Sequence, residues 1–180
     1  MRYRIGIVIG LLTCGLSGAS AQTATRTPGK EEQRLQRFVG RWSLLIEVYK
    51  TALSAPRRWT GTNHTFELLP GGFAVVHRWD DDTDGDGVVE RGIAITSYDA
   101  SKRTYVEQQY TSFGDAGAGP FTWVGDSLRY ADTPVHYHGK TGTERCAGAF
   151  APTTLTVDCR VSLDRKTWVL ESRMVYTRRP

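Results

Sequence analysis

Between residues 41 and 50 the apolar side chains fall on every second position, with Trp42, Leu44, Ile46 and Val48 set against more polar neighbours. The same alternation returns near the end in Trp168, Leu170, Ser172, Met174 and Tyr176. A period of two is that of an extended strand with one buried face. In between, short segments rich in Val, Thr, Tyr, Trp and Ile are punctuated by Gly, Pro and Asp, which predicts strands at 41–50, 58–69, 72–79, 89–98, 103–112, 120–124, 127–131, 135–149, 154–163 and 167–177. Helical periodicity is confined to Glu31–Phe38, after a Thr27-Pro28 start, and it presents Leu35 and Phe38 on one side. An all-β chain of 8–10 sequential antiparallel strands avoids exposed edges most simply by closing into an up-and-down barrel, here with a short N-terminal helix. A two-sheet sandwich is the alternative.

Residues 1–21 break the pattern: Arg2 and Arg4 precede a short apolar run that ends in Ala19-Ser20-Ala21. This is the plan of a secretory signal peptide, too short to span a bilayer, with cleavage expected near Ala21. A lipoprotein signal at Leu11-Leu12-Thr13-Cys14 competes, although Thr13 is a poor residue before a lipidated cysteine. The expected organisation is a signal peptide at 1–21, a lead-in at 22–34 and one barrel domain at 35–178, in a periplasmic or secreted protein with no transmembrane segment in the mature chain. Without Arg2 and Arg4 the balance is 21 basic to 19 acidic residues, and no basic run points to nucleic acid.

Cleavage would remove Cys14 and leave Cys146 and Cys159. If Pro152 and Thr153 are the two central residues of a turn, these cysteines face each other across a hairpin, which predicts a cross-strand disulfide.

Four motifs then occur in order: Arg37-Phe38-Val39-Gly40-Arg41-Trp42, Leu69-Pro70-Gly71-Gly72-Phe73, Ser97-Tyr98-Asp99 followed by Lys102-Arg103-Thr104-Tyr105, and Val175-Tyr176-Thr177-Arg178. Together they resemble the bacterial secreted lipocalin-like domains of unknown function within the calycin superfamily, over residues 35–178. The resemblance implies a calycin-type barrel with an interior cavity and a short helical segment closing one end, and it carries no general catalytic residues. The related haem-binding nitrobindins have Gly-x-Trp-x-Gly-x-Gly, whereas Ser43-Leu44-Leu45-Ile46 follows Trp42 here, which disfavours haem.

A two-residue turn at Pro70-Gly71 would oppose Phe66 to Val75, Leu68 to Phe73, Thr62 to Trp79 and His64 to His77, with both imidazoles on the apolar, inward face. Such a pair can share a metal, a proton or the polar group of a ligand, or simply satisfy one another. His136 and His138 share a second strand face, with Asp132 nearby, and read as a solvated face rather than a zinc site. Tyr105, Glu107 and Gln109 could line a cavity, but Val106, Gln108 and Tyr110 fit that place about as well. No catalytic elbow, metalloprotease motif or phosphate loop occurs. The leading reading is a barrel that binds a small, mainly apolar molecule, lined by Trp42, Phe66, Phe73, Val75 and Trp79 and anchored by His64 and His77. An enzyme acting at the same cavity, or an envelope or interaction protein with a filled barrel, are the alternatives.

In Asp82-Thr83-Asp84-Gly85-Asp86-Gly87, carboxylates alternate as in the first half of a calcium loop, and Glu90 falls at the ninth position. The twelfth position, which should carry a bidentate glutamate, is Ile93. A polar hairpin tip is therefore preferred, with calcium on Asp82, Asp84, Asp86 and Glu90 as the alternative cofactor. The turn reading expects the same melting temperature with and without millimolar calcium; a rise of several degrees would establish the metal.

Overall fold

The computed structural model describes residues 26–82, 88–137 and 139–180. The expected leader, and Asp84, Asp86 and His138, lie outside the described residues. A short helix α1 (Lys30–Arg34) runs on as a 3-10 turn (Leu35–Arg37). Eleven strands follow: β1 (Gly40–Val48), β2 (Arg57–Leu68), β3 (Ala74–Asp82), β4 (Val89–Asp99), β5 (Thr104–Thr111), β6 (Ala116–Val124), β7 (Ser127–Tyr130), β8 (Thr133–Tyr137), β9 (Lys140–Phe150), β10 (Thr154–Ser162) and β11 (Val169–Arg178).

Paired strands are antiparallel, in the order β10-β11-β1-β2-β3-β4-β5-β6-β7-β9-β8, and the pairing of β9 with β10 closes the ring. Ten strands thus form the barrel expected from the alternation. The extra strand arises because the predicted 135–149 is two strands, separated beside Gly139, whose φ of 77° suits a tight reversal. β8 pairs with Thr141–Glu144 of β9 while β7 pairs with Ala147–Ala149, so β7 and β8 act as one interrupted strand. β6 begins earlier than expected because its Ala-Gly start lacks strand-forming side chains and is held by pairing with β5.

The helix plugs one end. Leu35 and Phe38 are buried, as their shared face predicts, in a cluster with Trp42, Phe66, Val75, Tyr105, Phe121 and Leu128. The Tyr105 hydroxyl donates to the backbone oxygen of Glu31 at 2.9 Å, which ties the plug to β5. The Trp42 indole N–H donates to the Phe38 carbonyl at 2.7 Å. The Arg178 guanidinium lies 4.3 Å over the Trp42 ring and donates to the carbonyls of Val39 and Arg37. Gly40 (φ 137°) makes this possible, since a Cβ there would sit 2.9 Å from an Arg178 nitrogen.

Across the β9–β10 hairpin, Cys146 pairs with Cys159 and the two are bonded, as the Pro152-Thr153 turn predicted. No helix is long and apolar enough to cross a membrane among the described residues.

Arg178→Ala should lower unfolding free energy by about 2–4 kcal/mol in urea titrations, from two charge-assisted hydrogen bonds and a cation–π contact. Arg178→Lys should recover less than half of that, because an ammonium cannot fork between two carbonyls.

Candidate functional site

Above the plug the barrel is not filled. A ring of ten strands is wider than the eight whose side chains just fill the interior, and a cavity of about 510 Å³ remains, floored by Phe38, Phe66, Leu155 and Val157. Glycines make room on its walls. A Cβ at Gly92 would fall 1.8 Å from the Trp79 ring, so the indole lies where a side chain would otherwise stand. Gly119 pairs with Glu107, and a Cβ there would meet nothing within 4 Å, so open space lies beside that carboxyl.

The histidines meet, by a route other than the expected one. The turn after β2 is a four-residue loop, with Leu69 N–H bonded to the Ala74 carbonyl, so Phe66 rather than His64 pairs with His77, and Leu68 with Val75. A slip of two residues preserves the face. A bulge between Gly61 and Thr65 then leaves Thr62 and Asn63 both exposed and turns His64 inward. Thr62 does not face Trp79, which pairs with Gly92.

His64 is 2% exposed and makes two bonds, Nε2 to Asp81 Oδ1 and Nδ1 to His77 Nε2, both 2.9 Å. Gly61 permits the first: a Cβ at that position would collide with both Asp81 Oδ1 and His64 Nε2. A carboxylate only accepts, so Nε2 of His64 carries a proton. Between Nδ1 of His64 and Nε2 of His77 one nitrogen donates to the other, and Nδ1 of His77 is the outer end of the relay. Burial, then the neighbouring His64, hold the His77 pKa well below the usual histidine range. Its ring stacks on Phe66, with centroids 3.9 Å apart, and touches Trp79 at 4.8 Å and Tyr176 at 6.3 Å.

The far wall is acidic. Glu107 accepts from the Thr96 hydroxyl at 3.1 Å, and burial pushes its carboxyl up. Glu144 bonds to Glu171; burial first, then this neighbour, raise it to about 7. Glu90 accepts from the Trp79 indole at 3.2 Å. Tyr130 and Tyr176 complete the wall, their phenols raised by burial and then by Glu107.

Of the expected lining, His64, Phe66, His77 and Trp79 face the cavity. Trp42, Phe73 and Val75 do not: Trp42 and Val75 are packed in the plug region, and Phe73 sits in the turn beneath Arg26. Glu107 and Gln109 line the cavity, and Tyr105 is buried on the same face, which resolves the ambiguity in β5. Trp59, Asp81, Tyr130 and Glu144 also line it and were not singled out from the sequence. Asp81 belongs to the run Asp80–Asp82, which reads as part of a polar turn.

As to metals, both nitrogens of His64 are engaged within the protein. Asp132 forms a forked pair with Arg145, and His136 bonds to Thr141. Among the described residues, the group that approaches metal-binding geometry is Glu144 with Cys146 and Cys159, whose sulfurs are committed to the disulfide. Glu90 turns toward Trp79, and Asp84 and Asp86 lie outside the described residues.

Residues 27–145 match the model of a family described as a protein of unknown function, DUF1579. The chain belongs to that family. No curated protein matches this DUF1579 chain. Among solved structures it is similar to Rv2717c from M. tuberculosis, at 10% identity and a TM-score of 0.56, covering 84% of this chain and 99% of that one. It is also similar to the S-type phycobiliprotein lyase CPES from Guillardia theta, at 12% identity and a TM-score of 0.52, covering 83% of this chain and 93% of that one. At such identities the likeness is one of fold: these DUF1579 strands close into a barrel that other sequences also build.

A carboxyl raised in the folded state stabilises fully below its unfolded pKa and loses that contribution as pH rises through the folded one. For Glu144 the window runs from about pH 4.5 to 7. Glu144→Gln should therefore remove about 1–2 kcal/mol of the stability that the wild type loses between pH 5 and 8, allowing for solvent screening. Melting temperatures of both proteins across that range check it.

Proposed function

We propose that this DUF1579 barrel binds a small organic molecule in its interior, with an apolar body against Trp59, Trp79 and Phe66 and a polar group at His77. The cavity of about 510 Å³ carries the reading, because it falls within the range of small-molecule sites. It combines aromatic walls with a few convergent polar groups, and Nδ1 of His77 has no partner among the described residues. A cavity of this volume also speaks against a barrel filled by its own side chains.

We place the protein outside the cytoplasm. The Arg2–Ala21 leader pattern and the Cys146–Cys159 disulfide support that placement.

The Asp81–His64–His77 relay favours a second reading, acid–base catalysis on the bound molecule. An oriented imidazole with a free nitrogen facing a cavity is what a general base requires. Turnover lost in Asp81→Asn with binding retained would mark that reading.

Native mass spectrometry of protein purified from its own compartment should show a discrete adduct that denaturation releases. Occupancy should fall in His77→Phe, which keeps the stack on Phe66 but removes the ring nitrogens. An adduct-free mass, together with no change in tryptophan fluorescence on adding small aromatic compounds, would remove the ligand reading.

A further inference from the structure

We propose that the cavity selects molecules carrying a basic amine on a compact apolar body, with the ammonium group seated at Glu107. This rests on the reading that the cavity takes a ligand, and it names the ligand's chemical class.

Four carboxyl groups line the cavity, those of Asp81, Glu90, Glu107 and Glu144, and among the described residues no lysine or arginine does. In a low-dielectric interior an anion would meet like charge with little screening, whereas a cation would be drawn in. Each is engaged once within the protein: Asp81 with His64, Glu90 with Trp79, Glu144 with Glu171 and Glu107 with Thr96. Glu107 is set apart by the open space beside it. Its Oε2 accepts from Thr96, while Oε1 has no partner among the described residues and opens on the cavity, in the space left by Gly119.

The groups around Glu107 supply no positive charge. Thr96 of β4, Gln109 of β5, Tyr130 of β7 and Tyr176 of β11 are neutral, and Asp81 of β3 adds negative charge beyond Tyr176. A carboxylate held there without a counter-ion is costly, and burial pushes its pKa up. An arriving ammonium group supplies the missing charge. The carboxylate is then matched by an N–H···O⁻ contact, and any Glu107 still protonated gives up its proton to solvent. The rings of Tyr130 and Tyr176, which feel the charge of Glu107, and those of Trp59 and Trp79 elsewhere in the cavity wall offer π faces to a cation. An ordinary apolar pocket would have no use for this arrangement.

Isothermal titration calorimetry with three probes of similar size tests it: 2-phenylethylamine, 2-phenylethanol and 3-phenylpropionate. At pH 7.5 the amine should bind roughly tenfold or more tightly than the alcohol, and the acid more weakly than the alcohol. Titrations in buffers of different ionisation enthalpy should show net proton release on amine binding, and none for the alcohol. Glu107→Gln should abolish both the preference and the release, with alcohol affinity kept within about twofold. The ranking and the proton count are read on the unmodified protein and so do not depend on how the variant folds. Alcohol binding with no advantage for the amine, or with the acid tightest, would overturn amine selectivity and leave the ligand reading standing. Binding by none of the three would overturn both.

Discussion

The closed ring depends on how its first and last strands are pinned to the plug. Where the 3-10 turn passes into β1, the carbonyls of Arg37 and Val39 lack strand partners, and the Arg178 fork supplies them from the last strand. The guanidinium lies flat on Trp42, whose own N–H caps the Phe38 carbonyl, so one cation and one indole close the corner. Gly40 leaves the space in which they meet. Everything above this corner takes its depth from it: the plug floors the cavity, and His64 and His77 stand in the layer above Phe66.

That layer shows how a polar site is accommodated in an apolar barrel. Its carboxyl groups find partners within the barrel or sit where burial raises their pKa. Asp81 is matched by His64 and Glu144 by Glu171, while burial pushes the Glu107 carboxyl up. The space these groups occupy comes from missing side chains at Gly61, Gly92 and Gly119. A core packed for stability alone would fill such positions. The likeness to two solved structures of very different sequence shows that this barrel does not depend on one set of lining residues.

Particular residues show why part of this was legible in the sequence. Trp42, Leu44, Ile46 and Val48 alternate because one face of β1 packs inward, and that signal survives any error of register. The disulfide was legible because its hairpin turn is short and marked by Pro152. The histidine hairpin was read with too short a turn, yet the two rings still meet, since a slip of two residues is invisible to a period of two. The bulge at Thr62 and Asn63 carries no such signature, and without it His64 could not have been joined to Asp81.

The sequence by itself determined the strand alternation, the helical plug, the cysteine pairing and the inward face of the histidines. All of these follow from periodicity or from turns a few residues long. Only the tertiary structure decided which walls converge. Glu107, Tyr130 and Tyr176 come from β5, β7 and β11, and their neighbourhood exists because ten strands close at one radius. In β5 both faces carry polar residues, so the pattern could not choose between them. The electrostatics follow the same division, because the desolvation that pushes the Glu107 carboxyl up and the His77 imidazole down depends on atoms far away along the chain.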